Sequence, residues 1–271
     1  MESTETLSPA RLAAYLDRIG APRPAAPTAD ALHDLHLRHL RTVPFENLSI
    51  HLGEAVSLDE EAILAKLLDA RRGGFCYELN GAFALLLRTL GYGVRLLEAR
   101  VHTGNGTVGI PYDHLALRVE AADGSLWLAD VGFGDHAHHP LAFDERGDQK
   151  DPGGVFRIAG AADGDLDVLR DGKPRFRLTP RPRTLPDFAT GAWWHTTSPQ
   201  SHFTRGPICS RLTETGRITL RDRLLITTES GERTEQTLAE DEVVLAAYRK
   251  HFGITLDRLP VALHPKPLSG R

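Results

Sequence analysis

Arg71-Arg72-Gly73-Gly74-Phe75-Cys76-Tyr77-Glu78-Leu79-Asn80 is the stretch that decides how this chain is read. It sets a thiol where a Gly-rich turn becomes an apolar helix. The free N–H groups and dipole of a helix N-terminus favour negative charge, and therefore thiolate over thiol. Thiolate is the nucleophilic form of cysteine. Glycines at this point let the backbone turn tightly and let a substrate approach. A cysteine nucleophile needs a general base, and the base needs a third group to fix its tautomer.

Upstream the chain reads as helical. Ser8-Pro9 has the form of an N-cap followed by N1, with Leu12, Tyr15, Leu16 and Ile19 at helical spacing and a stop at Gly20. Thr28 caps a second helix whose expected buried face is Leu32, Leu35, Leu37 and Leu40, ending before Pro44. Ser57-Leu58-Asp59-Glu60 has the capping-box pattern, backed by Ile63, Leu64, Leu67 and Leu68. The fourth helix opens near Cys76 and buries Leu79, Ala82, Phe83, Leu86, Leu87 and Leu90 before Gly91.

Downstream the period changes from helix to strand. Val94 to Val101, His114 to Val119 and Leu126 to Val131 read as strands, with Asp123-Gly124 turning between the last two. From Leu141 to Phe188, Gly, Pro, Asp and Arg surround short candidates such as Phe156-Arg157-Ile158 and Phe176-Arg177-Leu178. Strands near Ile208 to Leu212, Arg217 to Leu220 and Leu224 to Thr228 precede a helix near Glu240 to Phe252.

The base and the acid follow from strand register. If Ala122, Asp123 and Gly124 form a three-residue loop, residue 121 pairs with 125 and 116 with 130. His114 and Ala116 share a face because strand faces alternate. Asp130 then sits diagonal to His114, within reach of its ring. A two-residue loop would turn Asp130 to the other face. With 13 histidines in the chain, His114 alone carries no weight, and Asp130 alone carries less. From these residues by themselves, a Cys76–His114–Asp130 trio and a chance placement both stand. Cys209 reads as a buried small hydrophobe.

Composition limits the other classes. The chain has 271 residues, 41% hydrophobic and 25% charged, which is ordinary for globular protein. A net charge of -4 leaves no basic footprint for nucleic acid and no polybasic patch for a membrane. Two cysteines form no disulfide framework, which fits a reduced, cytoplasmic setting. Met1-Glu2-Ser3-Thr4-Glu5 lacks the positive and apolar regions of a signal peptide, and no apolar run reaches the ~18 residues of a spanning helix. Gly104-Asn105-Gly106-Thr107-Val108-Gly109 fits a dinucleotide fingerprint in spelling but leads into a strand, so a loop is expected. His136, His138 and His139 beside Asp135 have no further ligand at zinc-site spacing, so no metal is expected.

Arg72-Gly73-Gly74-x-Cys76-x-Glu78-x-Asn80, then His114 opening a strand, then Asp130-Val131-Gly132-Phe133-Gly134, together resemble the arylamine N-acetyltransferase family. Pro44-Phe45-Glu46-Asn47-Leu48 and Thr197-Ser198-Pro199-x-Ser201-x-Phe203 match as well. The resemblance runs from about residue 9 to Ile254, and Ala142 to Thr190 carries no recognised motif. It implies an α+β chain in three domains: a helical bundle with the Cys (1–92), a β-barrel with His and Asp (93–190) and an α/β lid (191–271). It also implies ping-pong acyl transfer, in which Cys76 takes acetyl from acetyl-CoA as a thioester. A small arylamine, arylhydrazine or arylhydroxylamine then discharges it. His114 would be the base and Asp130 would hold the imidazole. Arg72 and Glu46 match the family's buried ion pair. Phe45, Val101 and Phe133 match its acceptor pocket, with plain core packing the simpler reading of Val101. Trp193-Trp194 reads either as a CoA contact or as lid filling.

Three other functions share parts of this pattern. An amide synthase of polyketide biosynthesis would use the same triad on a carrier-bound acyl chain. A papain-like or transglutaminase-like hydrolase would use water as acceptor. A binding module would retain the triad without turnover.

Overall fold

A computed structural model describes residues 6–104 and 106–265. The first helix, α1 (Pro9–Ile19), starts as its sequence dictates, with Ser8 Oγ accepting the Arg11 N–H, and ends on Gly20 in the left-handed conformation. In α2 (Ala29–Thr42) the buried face differs from expectation. Leu32, Leu35, His36 and His39 are buried, whereas Leu37 and Leu40 are only half-buried. The i, i+3, i+4, i+7 stripe is kept, but two imidazoles occupy it because polar partners await them inside.

A two-residue strand, β1 (Phe45–Glu46), leads to a one-turn helix α3 (Leu48–Leu52). The cap of α4 (Glu60–Leu64) is Asp59 rather than Ser57: its carboxylate accepts the Ala62 N–H, and Ser57 Oγ instead accepts the Asp59 N–H. The nearer, charged acceptor wins at an N-terminus. The helix widens over Ala65–Asp69. Then α5 (Cys76–Thr89) begins at the nucleophile candidate and is buried from Cys76 through Leu87.

Next comes an eight-stranded antiparallel sheet. Its strands are β2 (Gly93–Val101), β3 (His114–Glu120), β4 (Leu126–Ala129), β5 (Leu141–Ala142), β6 (Gln149–Asp151), β7 (Gly154–Gly160), β8 (Leu166–Arg170) and β9 (Lys173–Arg183). Their spatial order is β5-β4-β3-β2-β9-β8-β7-β6, which curls into a nearly closed barrel. The two edges, β5 and β6, are joined by a side chain. Gln149 Oε1 accepts the Ala142 N–H at 2.7 Å and Gln149 Nε2 donates to the Ala142 carbonyl at 3.0 Å. One amide thus substitutes for a missing ladder rung. Leu97, Ala99, Ala116, Phe156, Ile158, Val168, Phe176 and Leu178 fill the interior. On the opposite face of β3, Leu115, Leu117 and Val119 pack against α5 and the helices.

Helix α6 (Ala189–Thr197) leads to a second, five-stranded sheet in which β1 is followed by β10 (Ile208–Leu212), β11 (Gly216–Arg221), β12 (Leu224–Glu229) and β13 (Glu232–Thr237). Helix α7 (Asp241–Ala247) packs on it through Val244, Ala247 and Tyr248. Strand β13 was invisible in the sequence because all six of its residues are exposed. Neither α3 nor α6 is among the helices expected from the sequence. The architecture is therefore α+β, with a helical N-terminal part, a barrel and a second sheet with its helix. Among the described residues no helix is long and apolar enough to cross a membrane.

Replacing Gln149 by Ala should lower unfolding free energy by about 1–3 kcal/mol, since two backbone groups lose their partner. Urea titration measures this. A loss below a few tenths of a kcal/mol would mean that the barrel edges need no such bridge.

Candidate active site

Cys76 occupies the first turn of α5, so its backbone N–H has no intrahelical acceptor. The turn before it is held from three sides. Glu78 Oε2 accepts the Phe75 N–H at 3.2 Å, closing the helix cap from within. Gly74 O accepts the Glu46 N–H at 2.8 Å, so β1 runs alongside the turn. A Cβ on Gly73 would lie 1.8 Å from the Pro44 carbonyl oxygen, so only glycine permits this approach.

Charge braces the same turn. Glu46 is fully buried. It accepts from Arg72 Nε at 3.0 Å and from the Leu48 N–H at 2.6 Å, and Lys66 Nζ lies 3.8 Å away. Lys66 also donates to Glu78 at 2.6 Å, and Arg72 reaches Glu54 at 3.2 Å. Burial pushes the Glu46 carboxyl up, but Lys66 and Arg72 outweigh it and hold it ionised. The fold places Lys66, half-buried, between two carboxylates.

His114 and Asp130 meet as register required. Leu117 pairs with Ala129, which sets 116 opposite 130, and the Ala121 N–H bonds to the Ser125 carbonyl across the three-residue loop. Strand β4 ends at Ala129 rather than Val131, so Asp130 is the first residue off the ladder. His114 Nε2 lies 2.7 Å from Asp130 Oδ2, and both residues are buried. With Nε2 engaged, Nδ1 is the ring nitrogen left for the Cys76 thiol, which lines the same cleft. Burial alone would strip the imidazole of its proton. The Asp130 charge and hydrogen bond, with the thiol's contribution, override it and raise His114 to about 10. Burial pushes Asp130 up in turn, but the His114 charge and hydrogen bond bring it down to about 2.

Both carboxylate oxygens and the backbone N–H of Asp130 have partners. Its Oδ1 accepts from Asn80 Nδ2 and from the Gly132 N–H, both at 2.9 Å. Its own N–H donates to His36 Nε2 at 3.2 Å, while His36 Nδ1 bonds the His138 carbonyl at 2.9 Å. That pairing fixes His36 as the neutral Nδ1–H tautomer, in keeping with burial lowering it to about 4. Asn80, one turn from Cys76 on the same helix face, was signalled by its i+4 spacing; His36 and Lys66 carried no such signal.

The trio opens on a cleft of about 1080 Å³ between the barrel and the second sheet. Phe45, Val101 and Phe133 all line it, as do Asp113, His195 and Phe203. Phe133 meets the His114 ring edge-on at 5.1 Å. His195 bonds Ser201 Oγ at 3.2 Å and Asp113 at 3.0 Å. Trp193 is largely exposed on α6, and Trp194 stands edge-on to His195. His136 is buried among Phe133, Phe156 and Phe176, while His139 pairs with Asp151 and Asp135 with Arg170. Among the described residues no three ligating side chains converge on a metal position. The glycine-rich run from Gly104 to Gly109 (its Asn105 lies outside the described residues) is a bridged loop leading into β3.

Known proteins share this layout. The profile of a family described as N-acetyltransferase matches residues 28–261. The arylamine N-acetyltransferase of Escherichia coli strain K12 is 35% identical, over 90% of this chain and 88% of that one. That of Mycolicibacterium smegmatis is 34% identical, over 92% and 93%. A solved structure of the M. smegmatis enzyme superposes with a TM-score of 0.85 at 34% identity, covering 96% of this chain and 99% of that one. The Mycobacterium marinum arylamine N-acetyltransferase in complex with CoA gives 0.82 at 31% identity, covering 90% and 92%.

The pKa shifts set a pH window for stability. His114 is raised from 6.5 to about 10, so its contribution is complete below pH 6.5 and disappears as pH climbs through about 10. Asp130 is lowered from 3.8 to about 2, so its contribution is complete above pH 3.8 and disappears as pH falls through about 2. Asp130→Asn should therefore cost most between roughly pH 4 and 6.5, on the order of 3–5 kcal/mol, and progressively less towards pH 10. Urea unfolding of both proteins across pH 4–10 tests this; a pH-independent gap would contradict it.

Proposed function

The chain belongs to the N-acetyltransferase family, and from that premise we propose that it moves an acetyl group from acetyl-CoA to an arylamine, arylhydrazine or arylhydroxylamine by way of a Cys76 thioester. The observation that carries this reading is the buried His114–Asp130 pair at 2.7 Å beside a thiol at a helix start.

In this mechanism His114 holds the proton at neutral pH, leaving Cys76 sulfur free to attack the acetyl carbonyl. The Cys76 N–H, which lacks an intrahelical acceptor, is the natural donor to the carbonyl oxygen as it gains charge. As the tetrahedral adduct collapses, the carbon–sulfur bond to CoA breaks and the departing thiolate takes the His114 proton. The acceptor amine then attacks the thioester and gives its proton to His114; the acetyl carbon–sulfur bond to Cys76 breaks and the sulfur leaves as thiolate, which restores the resting pair. Asp130 keeps the imidazole in one tautomer and offsets its charge throughout. Phe45 and Phe133 would flank the acceptor ring, and Val101 would close the barrel side of the cleft. The Arg72–Glu46 pair would lock the turn before Cys76. We infer a soluble protein of a reducing cytoplasm, since the chemistry needs Cys76 unoxidised.

Incubation with acetyl-CoA without amine should add one acetyl group, by intact-mass spectrometry, which an arylamine then removes. Cys76→Ala should take up none and lose turnover by at least about 10⁴-fold. An unacetylated protein whose thiol still reacts with an alkylating agent would rule the reading out.

A further inference from the structure

Tyr112 has a backbone φ of 58°, in the left-handed region. The other non-glycine residues found there are Arg71, Asp163, Asp171, Asp222 and Ser230, so Tyr112 is the one aromatic residue among the described residues to adopt it. A bulky side chain enters that region at a cost and stays only where its surroundings hold it. Here they do. The Tyr112 N–H donates to Glu98 Oε1 at 3.2 Å, its ring meets Phe188 edge-on at 5.5 Å, and the Arg183 guanidinium lies over that ring at 5.6 Å. The shortest of its contacts is on the carbonyl. Tyr77 Oη donates to the Tyr112 carbonyl at 2.6 Å and lies 3.2 Å from the Asp113 carbonyl. Gly191 packs on the same spot: a Cβ there would lie 2.4 Å from the Tyr112 carbonyl oxygen and 2.8 Å from Tyr77 Oη.

Both ends of this hydrogen bond adjoin the reacting pair. Tyr77 follows Cys76 on α5, and Tyr112 comes two residues before His114, where β3 begins. Tyr77 is fully buried. Burial, with the charges of Cys76 and Asp113, pushes its phenol far above the ordinary range, so it keeps the proton it donates. We propose that Tyr77 is a positioning residue for the catalytic base: its hydroxyl holds the strained turn at Tyr112, and that turn sets where His114 stands relative to Cys76. The inference rests on the acetyl-transfer reading above. On the far side of His114, Asn80 holds the Leu115 carbonyl at 2.6 Å. The base is thus gripped before and after by two side chains of the helix that Cys76 opens. Without the hydroxyl the Tyr112 carbonyl loses its donor, and the residue can relax towards negative φ and carry the start of β3 with it. A displacement of about 1 Å at a reacting group costs on the order of 10²-fold in rate.

The test uses Tyr77→Phe, which removes one oxygen and keeps the ring, in the full-length protein. Single-turnover thioester formation on Cys76 is followed by mass at varied acetyl-CoA. Alkylation of Cys76 by iodoacetamide at neutral pH reads the same pair without acetyl-CoA. Both rates should fall roughly 10- to 100-fold, while the acetyl-CoA concentration giving half the maximal rate moves by less than about twofold. Glycine takes a positive φ without strain, so in a Tyr112→Gly background the same Tyr77→Phe change should alter either rate by less than about threefold. A Tyr77→Phe protein with wild-type rates overturns the proposal. An equal fall in the glycine background overturns it too and assigns the hydroxyl to general packing. So does a change confined to the half-saturating concentration, which would place Tyr77 in CoA binding. A wild type that is alkylated but forms no thioester defeats the acetyl-transfer reading instead, and the alkylation rates still decide the role of Tyr77.

Discussion

The side-chain amide of Asn80 is where helix α5 and the β3–β4 hairpin are fastened together. It is fully buried on α5. It donates to the Leu115 carbonyl at 2.6 Å and to Asp130, and it accepts the Val131 N–H at 2.9 Å. Those three partners come from β3 and from the segment that directly follows β4. One residue of the helix that Cys76 opens therefore sets the position of His114 and Asp130. A buried network of this kind is stable only when every member is satisfied, so Asn80 can neither shift nor be dispensed with cheaply. Gly132 records how close the pieces come. A Cβ there would lie 2.7 Å from the Cys76 Cα and 2.8 Å from Asn80 Nδ2.

Much of this was legible in the sequence wherever one local rule governed the outcome. Helix α1 followed from Ser8-Pro9 and Gly20, and α5 from the apolar run behind Cys76. The His114–Asp130 meeting followed from a three-residue loop and the period of two. What escaped was polar and long-range. His36 and His39 lie on the buried face of α2, where hydropathy alone preferred Leu37 and Leu40. His36 is tied to residues about a hundred positions away. Such partners leave no periodic trace. Strand β13, from Glu232 to Thr237, has no apolar face because it is an outer edge, and charge on an exposed edge discourages pairing with other chains.

The site is organised by burying charge in compensated sets. Around Cys76, Glu46 and Glu78 are offset by Arg72 and Lys66, and Asp130 by His114. The two sets act at different places. One fixes the backbone before the thiol, and the other fixes the ring beside it. Neither adds much net stability over apolar packing, but losing one member strands its partner without water. His36 is kept neutral between them, so it can accept the Asp130 N–H without adding a competing charge.

Strand β1 has a consequence for how the protein is made. Its residues 45 and 46 bond on one side to the turn at Gly74 and on the other to β10, at Ser210 and Cys209. The Asn47 side chain adds three bonds to the stretch from Phe203 to Ile208, and its N–H a fourth. A ribosome delivers Cys76 about 130 residues before that support exists, roughly 7 to 26 seconds earlier at ~5–20 residues per second. During that interval the turn preceding the thiol has only half of its scaffold. The backbone that flanks the turn before Cys76 is thus completed only late in elongation, after an interval longer than most folding steps take.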